Sequence, residues 1–203
     1  TAEDDPVVAG KVFSGWKDEQ TGQPFDFAGA TMPSRNLVIA ATYQDEIYIT
    51  FDSKGGSLVE RLSGVAGSPV SAPTPPTKTG YTFVDWFLAG ATDPYVFTVM
   101  PDASINLVAK WNINKYNVTY ETNGGNAIPT EMLDFNSTLT QVPVRTGYTF
   151  VGWFDLTLTN EITLVPADDV TVYAKWQANT YSITFNGNGN TGGNTESHTS
   201  VSY

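Results

Sequence analysis

GYTFVDWF at 80–87 and GYTFVGWF at 147–154 decide how this 203-residue chain is read. Seven of the eight positions agree, at a spacing of 67 residues. A looser copy, GKVFSGWK at 10–17, keeps Gly10, Phe13 and Trp16. Self-similarity at a fixed period of this size marks a repeat architecture, in which each repeat is one supersecondary unit.

Two further blocks keep step with the first. NLVAKW at 106–111 returns as TVYAKW at 171–176, and VIAATY at 38–43 holds the same place in the first copy, with Tyr43 for the tryptophan. A proline precedes each, in Met32-Pro33, Met100-Pro101 and Val165-Pro166. The third block is an alternating stretch that ends in a glycine-rich turn: IYITFDSKGG at 47–56, YNVTYETNGG at 116–125 and YSITFNGNGN at 181–190. Cutting before this third block gives complete units at 44–111 and 112–176, with a C-terminal half-unit at 1–43 and an N-terminal half-unit at 177–203. Cutting before the GYTF block gives three units instead, 1–72, 73–143 and 144–203. The first frame is preferred. SPVSAPTPPTKTG at 68–80 is too long for a hairpin turn, yet it joins two blocks that recur together.

The period inside the blocks is two. Ile47, Ile49 and Phe51 fall on one face, as do Tyr116, Val118 and Tyr120, and then Tyr181, Ile183 and Phe185. Alternating β-branched and aromatic residues read as half-buried strands. The pairs Gly55-Gly56 and Gly124-Gly125 supply positive φ for a turn. Counted strictly, GYTFVGWF puts Tyr148, Phe150 and Gly152 on one face and Thr149, Val151 and Trp153 on the other. Such a strand is covered on both sides or bends at the glycine. No sustained helical period occurs, although 155–168 has room for one helical turn. The expected fold is mainly β, α+β at most, built from tandem units of about 65–70 residues arranged end to end. Units of this size are marginal alone and gain from neighbour contacts.

Composition narrows the function. The chain is 13% aromatic and only 15% charged, which favours folded cores over disorder. Acidic residues outnumber basic ones 21 to 10, which disfavours nucleic acid and anionic membrane surfaces. The absence of cysteine excludes disulfides, thiolate metal sites and cysteine catalysis. No run of roughly 18 apolar residues occurs to span a bilayer. The acidic opening TAEDDPVVAG is no signal peptide. Export would therefore rest on a signal lying upstream or already removed.

In combination, GYTF-x-x-WF, a proline, YAKW and Y-x-ITF before a glycine turn resemble the Listeria-Bacteroides repeat, also called the internalin-type B repeat. The resemblance covers nearly the whole chain, in two full and two partial copies. It departs from the pattern at Lys11, Lys17 and Tyr43. It implies a small β fold like the β-grasp of ubiquitin-type proteins. It also implies placement in exported bacterial cell-surface or cell-wall proteins as spacer or adhesive modules. It offers no catalytic, cofactor or metal-binding residues to carry over.

The residues themselves offer little chemistry. His198, the one histidine, has Ser197 and Ser200 as sequence neighbours, and neighbours on a strand do not face each other. One histidine and no cysteine leave zinc only carboxylates. The pairs Asp18-Glu19, Asp45-Glu46 and Asp168-Asp169 read as solvated turn residues before they read as a glycosidase pair. NGNGNTGGN at 186–194 lacks the aspartate of calcium-binding nonapeptides and reads as a flexible hairpin tip. Trp16, Trp86, Trp111, Trp153 and Trp176 recur in register, as core residues do; a sugar-stacking platform in every unit would recur too. The sequons at Asn117 and Asn136 carry little weight. No enzyme, cofactor or metal is expected. The expected role is an extracellular spacer or stalk, with adhesion to a host or matrix protein or a glycan as the alternative. The unpaired half-units at the two ends predict head-to-tail association of copies.

Overall fold

The computed structural model describes residues 5–29, 33–186, 188–189, 191–193 and 196–202. Among these there is no helix; every regular element is a strand. The chain forms two compact units, residues 1–78 with 83–111, and residues 79–82 with 112–203.

In the first unit, β1 (Lys11–Asp18), β2 (Pro24–Phe25) and β3 (Ile39–Asp45) make a three-stranded sheet in the order β2-β1-β3, antiparallel throughout. Then β4 (Ile47–Asp52), β5 (Leu62–Gly64), β6 (Tyr81–Leu88) and β7 (Ile105–Ile113) make a four-stranded sheet, ordered β5-β4-β7-β6. β4 and β7 are parallel, with Ile49 opposite Ile105 and Phe51 opposite Leu107. In the second unit β8 (Lys115–Glu121), β9 (Glu131–Asp134), β10 (Tyr148–Phe154) and β11 (Val170–Ala178) repeat the plan as β10-β11-β8-β9. Again the first and last strands form the parallel pair, with Val118 opposite Val170 and Tyr120 opposite Val172. β12 (Thr180–Ile183) and β13 (His198–Ser202) form a separate antiparallel hairpin.

The expectation of mainly β structure in small tandem sheets therefore holds. The strand order, with first and last strands parallel at the centre, is that of a β-grasp without its helix. The segment 155–168, read as having room for a helical turn, has none: 155–160 form a tight turn, and the chain then bridges at Glu161 to Phe154 and at Leu164 to Thr138. Asp155 accepts hydrogen bonds from the Asn160 amide group (2.7 Å), the Thr157 hydroxyl (2.8 Å) and the Thr159 N–H (3.2 Å). Its carboxylate thus offers the backbone an alternative to helical bonding.

Each four-stranded sheet carries its own core, and five of the six buried positions repeat; Ile47 and Tyr120 do not, their counterparts Tyr116 and Phe51 being half-buried. One gathers Ile47, Ile49, Trp86, Met100, Leu107 and Ala109; the other gathers Val118, Tyr120, Trp153, Val165, Val172 and Ala174. The strict alternation read for GYTFVGWF fails at one point. The register between β10 and β11 shifts between Phe150 and Gly152, a β-bulge that adds one residue to one strand. The bulge turns Val151 out to solvent and lets Phe150 and Trp153 both face the core. β1 is bulged in the same way between Phe13 and Gly15.

Candidate functional site

The recurring residues converge on one construction in each unit, a glycine turn that receives the tryptophan of the AKW block. In the first unit Lys54 and Gly55 take φ of 51° and 84°, and Gly56 N–H donates to the Ser53 carbonyl at 3.1 Å. In the second, Asn123 and Gly124 take 47° and 91°, and Gly125 N–H donates to Thr122 at 3.1 Å. The sequence reading took each glycine pair to permit positive φ; the first glycine of each pair uses that freedom. The second is glycine because of space. A Cβ on Gly56 would lie 2.6 Å from the Trp111 ring, and one on Gly125 2.8 Å from the Trp176 ring. The indole N–H of Trp111 donates to the Ser53 carbonyl, and that of Trp176 to Thr122, both at 2.9 Å.

The GYTF tryptophans lie deeper, Trp86 at 2% and Trp153 at 4% exposure. Their aromatic neighbours match: Phe51 is 4.7 Å from Trp86 and Tyr120 is 4.9 Å from Trp153, between ring centroids. Their polar ends do not. Trp153 Nε1–H donates to the Gln141 carbonyl at 2.7 Å, whereas Trp86 Nε1–H is buried with no partner. Trp16 is half-buried, edge-on to Phe13 at 5.5 Å and to Phe27 at 6.4 Å.

Cations finish the construction, and the sequence reading did not single them out. Lys110 Nζ sits 3.6 Å from the Phe87 ring centroid and donates to the Ala91 carbonyl; Lys175 sits 4.6 Å from Phe154 and donates to Leu158. Lys78 and Arg145, two residues before each GYTF glycine, donate to the turn carbonyls of Lys54 and Asn123. Their recurrence at fixed places was the available signal. The fold uses them as cation–π contacts and turn clamps.

The residues weighed for chemistry are spread apart. His198 is exposed on β13, opposite Ile183, with its ring 6.3 Å from Phe185. Asp169 accepts from the Asn117 backbone N–H (2.8 Å) and side-chain amide (3.0 Å), and these bonds hold its carboxyl below the usual range. It thereby ties the start of β11 to β8, as Ser104 Oγ does for Tyr48 N–H in the first unit. Asp168 accepts from the Asp169 N–H. Asp18 is buried and pairs with Arg35. Asp45 pairs with Lys11, and Glu46 accepts from the Tyr48 hydroxyl. Each carboxylate is thus a local tie in a different place. Asn136 sits at a turn with φ of 60°, and its N–H donates to Val165. Among the described residues no three His, Asp or Glu side chains are placed to hold a metal ion. Of the glycine-asparagine run 186–194, positions 187, 190 and 194 lie outside the described residues, as does Met32. No described helix is long and apolar enough to cross a membrane.

Comparison with known proteins adds identity to this geometry. The profile of the Listeria-Bacteroides repeat domain matches three times, at residues 1–42, 48–110 and 116–175. A protein of Evansella cellulosilytica described as a membrane protein is 34% identical over 195 residues, 90% of this chain and 29% of its own length. A second from the same organism, described as a Gly-rich membrane protein, is 35% identical over 91% of this chain and 22% of its own length. Internalin H of Listeria monocytogenes is 34% identical over 124 residues, 56% of this chain and 22% of its own. The chain thus spans less than a third of each of these relatives.

Proposed function

Because this chain belongs to the Listeria-Bacteroides repeat domain family, we propose that it is a non-catalytic spacer region of a bacterial cell-surface protein, holding other parts of that protein away from the cell wall. One observation carries the reading: the recurring signature is consumed by folding. Trp86, Trp153, Trp111 and Trp176, the second glycine of each turn, and Lys110 and Lys175 are all spent on internal packing and hydrogen bonds. A module that bound a ligand through its repeated residues would keep them at the surface. The exposed apolar positions, by contrast, mostly differ between units: Leu58, Leu88 and Val96 of the first are not matched by exposed apolar residues in the second.

We take the folding unit to open with the strand-and-turn block, at 44–111 and 112–176, with half-units at 1–43 and 177–203. The four-stranded sheets built from Ile47–Asp52 to Ile105–Ile113 and from Lys115–Glu121 to Val170–Ala178 support this frame.

Adhesion is the second reading. It is favoured by Val84 and Val151, which are exposed at the same position of the repeat in both units. A screen against glycans and extracellular-matrix proteins separates the two. The spacer reading expects no saturable binding by the folded chain. A saturable hit, lost in Val84→Asp or Val151→Asp, would replace the spacer with an adhesin.

A further inference from the structure

The two four-stranded sheets share one strand plan but not every side chain, and one difference between them shapes a groove. In the first unit a groove of about 450 Å³ is lined by Phe87, Leu88, Ala91 and Val108, with Lys54 and Lys110 beside them. Val108 stands between the core residues Leu107 and Ala109 on β7, so alternation turns it to the sheet face opposite the core. A volume of this size falls within the range of small-molecule sites.

Register with the second unit shows what makes the room. Asp52 lies opposite Val108 as Glu121 lies opposite Tyr173. The Ala91 N–H donates to the Leu88 carbonyl, and the Ala91 carbonyl accepts from Lys110; the Leu158 N–H donates to Asp155, and the Leu158 carbonyl accepts from Lys175. Val108 and Ala91 therefore stand where the second unit has Tyr173 and Leu158, and both are the smaller side chain. Charge differs along with size. Lys54 and Asn123 hold the same left-handed place in their turns, at φ of 51° and 47°, and Leu88 corresponds to Asp155. The first unit thus carries a cation and an apolar side chain where the second carries an amide and a carboxylate. This happens in a chain whose acidic residues outnumber basic ones 21 to 10.

The lining dictates what fits. The Lys110 ammonium sits 3.6 Å from the Phe87 ring centroid, so that ring face is taken and does not stack on a sugar or an aromatic ring. The surface left for contact is aliphatic, from Leu88, Ala91 and Val108. Each lysine ammonium has three N–H donors. Lys110 gives one to the Ala91 carbonyl at 3.1 Å and Lys54 gives one to Asp52 at 2.9 Å, which leaves donors at the rim for an anion. We propose that this groove binds a medium-chain alkyl carboxylate of the fatty-acid kind. Its chain lies along Val108 and Leu88, and its carboxylate accepts charge-assisted hydrogen bonds from Lys54 and Lys110. The site is built from positions at which the repeats differ, so it stands beside the spacer role and does not rest on it.

Titration of the isotope-labelled 203-residue chain with sodium decanoate, below its micelle-forming concentration and followed by heteronuclear NMR, tests this. Saturable shifts are expected for the amides of 87–91 and 108–110, and none of comparable size for those of 154–158 and 173–175. Decan-1-ol, with the same chain and no charge, should bind roughly tenfold more weakly or worse. Two variants carry side chains that the second unit already accepts at the same backbone positions, and circular dichroism checks the fold of each. Lys54→Asn should weaken decanoate binding roughly tenfold, and Val108→Tyr should abolish it. Absence of saturable binding overturns the proposal. So do equal shifts in the two units, decanol binding as tight as that of decanoate, or a folded Lys54→Asn or Val108→Tyr chain that binds like the wild type.

Discussion

Trp86 and Trp153 are the same residue of the repeat in nearly the same surroundings, so replacing each by phenylalanine isolates what differs between them. Both are almost fully buried, and the aromatic rings around them stand at matching distances. The lost ring area and the small cavity therefore contribute similar terms, roughly 1–2 kcal/mol each on the scale of core truncations. The indole N–H is another matter. Trp153→Phe removes a donor from the Gln141 carbonyl, a net loss of about 1 kcal/mol. Trp86→Phe removes a buried N–H that has no acceptor, relieving a penalty of about 1–3 kcal/mol. The second unit should lose about 2–4 kcal/mol more than the first, and Trp86→Phe should come close to neutral. A single global unfolding curve would blur two units. Native-state hydrogen exchange read by mass spectrometry resolves them, through peptides of β7 and β11. Equal losses at both sites, or a larger loss at Trp86, would refute the reasoning.

Gly56→Ala and Gly125→Ala press a methyl group into an indole, so each should cost roughly 1–3 kcal/mol and change the near-ultraviolet dichroism. Gly29→Ala, which meets no atom within 4 Å, should leave the thermal midpoint in place. The Asp155 carboxyl is held at about 2 by hydrogen bonds from the Asn160 and Thr157 side chains. Because that lies below the unfolded value near 3.9, its support for the turn is full above that pH and is lost as pH falls through about 2. Amide exchange of residues 156–160 should therefore quicken over that window, and Asp155→Ala should quicken it at all pH. Burial, with the Glu131 carboxylate beside it, pushes the Tyr120 hydroxyl above the usual tyrosine range. Its contribution to the second unit is whole below the unfolded value near 10 and falls away as pH rises above it. Ultraviolet titration should find late-ionising tyrosines, Tyr48 among them because its hydroxyl donates to the Glu46 carboxylate, and Tyr120→Phe should remove one of them; the counterpart of Tyr120 in the first unit is Phe51, which cannot titrate.

Much of this architecture was legible in the sequence because repetition shows which residues the fold keeps. Ile47 and Ile49 alternate and are buried, and the glycine turns lie where the strand blocks end. What escaped was non-local. Counting by twos assigned Phe150 and Trp153 to opposite faces, because a bulge adds a residue without leaving a mark in the alternation. The parallel pairing of β4 with β7 joins segments more than fifty residues apart, and no short pattern encodes it. Gly55 and Gly56 look alike on paper, yet one serves a backbone angle and the other a tryptophan that arrives from Trp111. The recurring lysines of the AKW block drew no reading in the sequence; only the fold places Lys110 and Lys175 over phenylalanine rings. The candidate carboxylates read as turn residues, and Asp169 adds a tie between the two central strands.

The central parallel pair has a mechanical consequence. Each sheet is entered along β4 or β8 and left along β7 or β11, and a single residue, Asn114 or Asn179, separates the leaving strand from the next entering one. Tension along the polypeptide therefore pulls two adjacent parallel strands past each other lengthwise. The hydrogen bonds between them must yield together, not one after another as in a peeled hairpin. Resistance to such a load is set by the height of the unfolding barrier and not by equilibrium stability. A unit of modest thermal stability can then still bear a load applied along the chain.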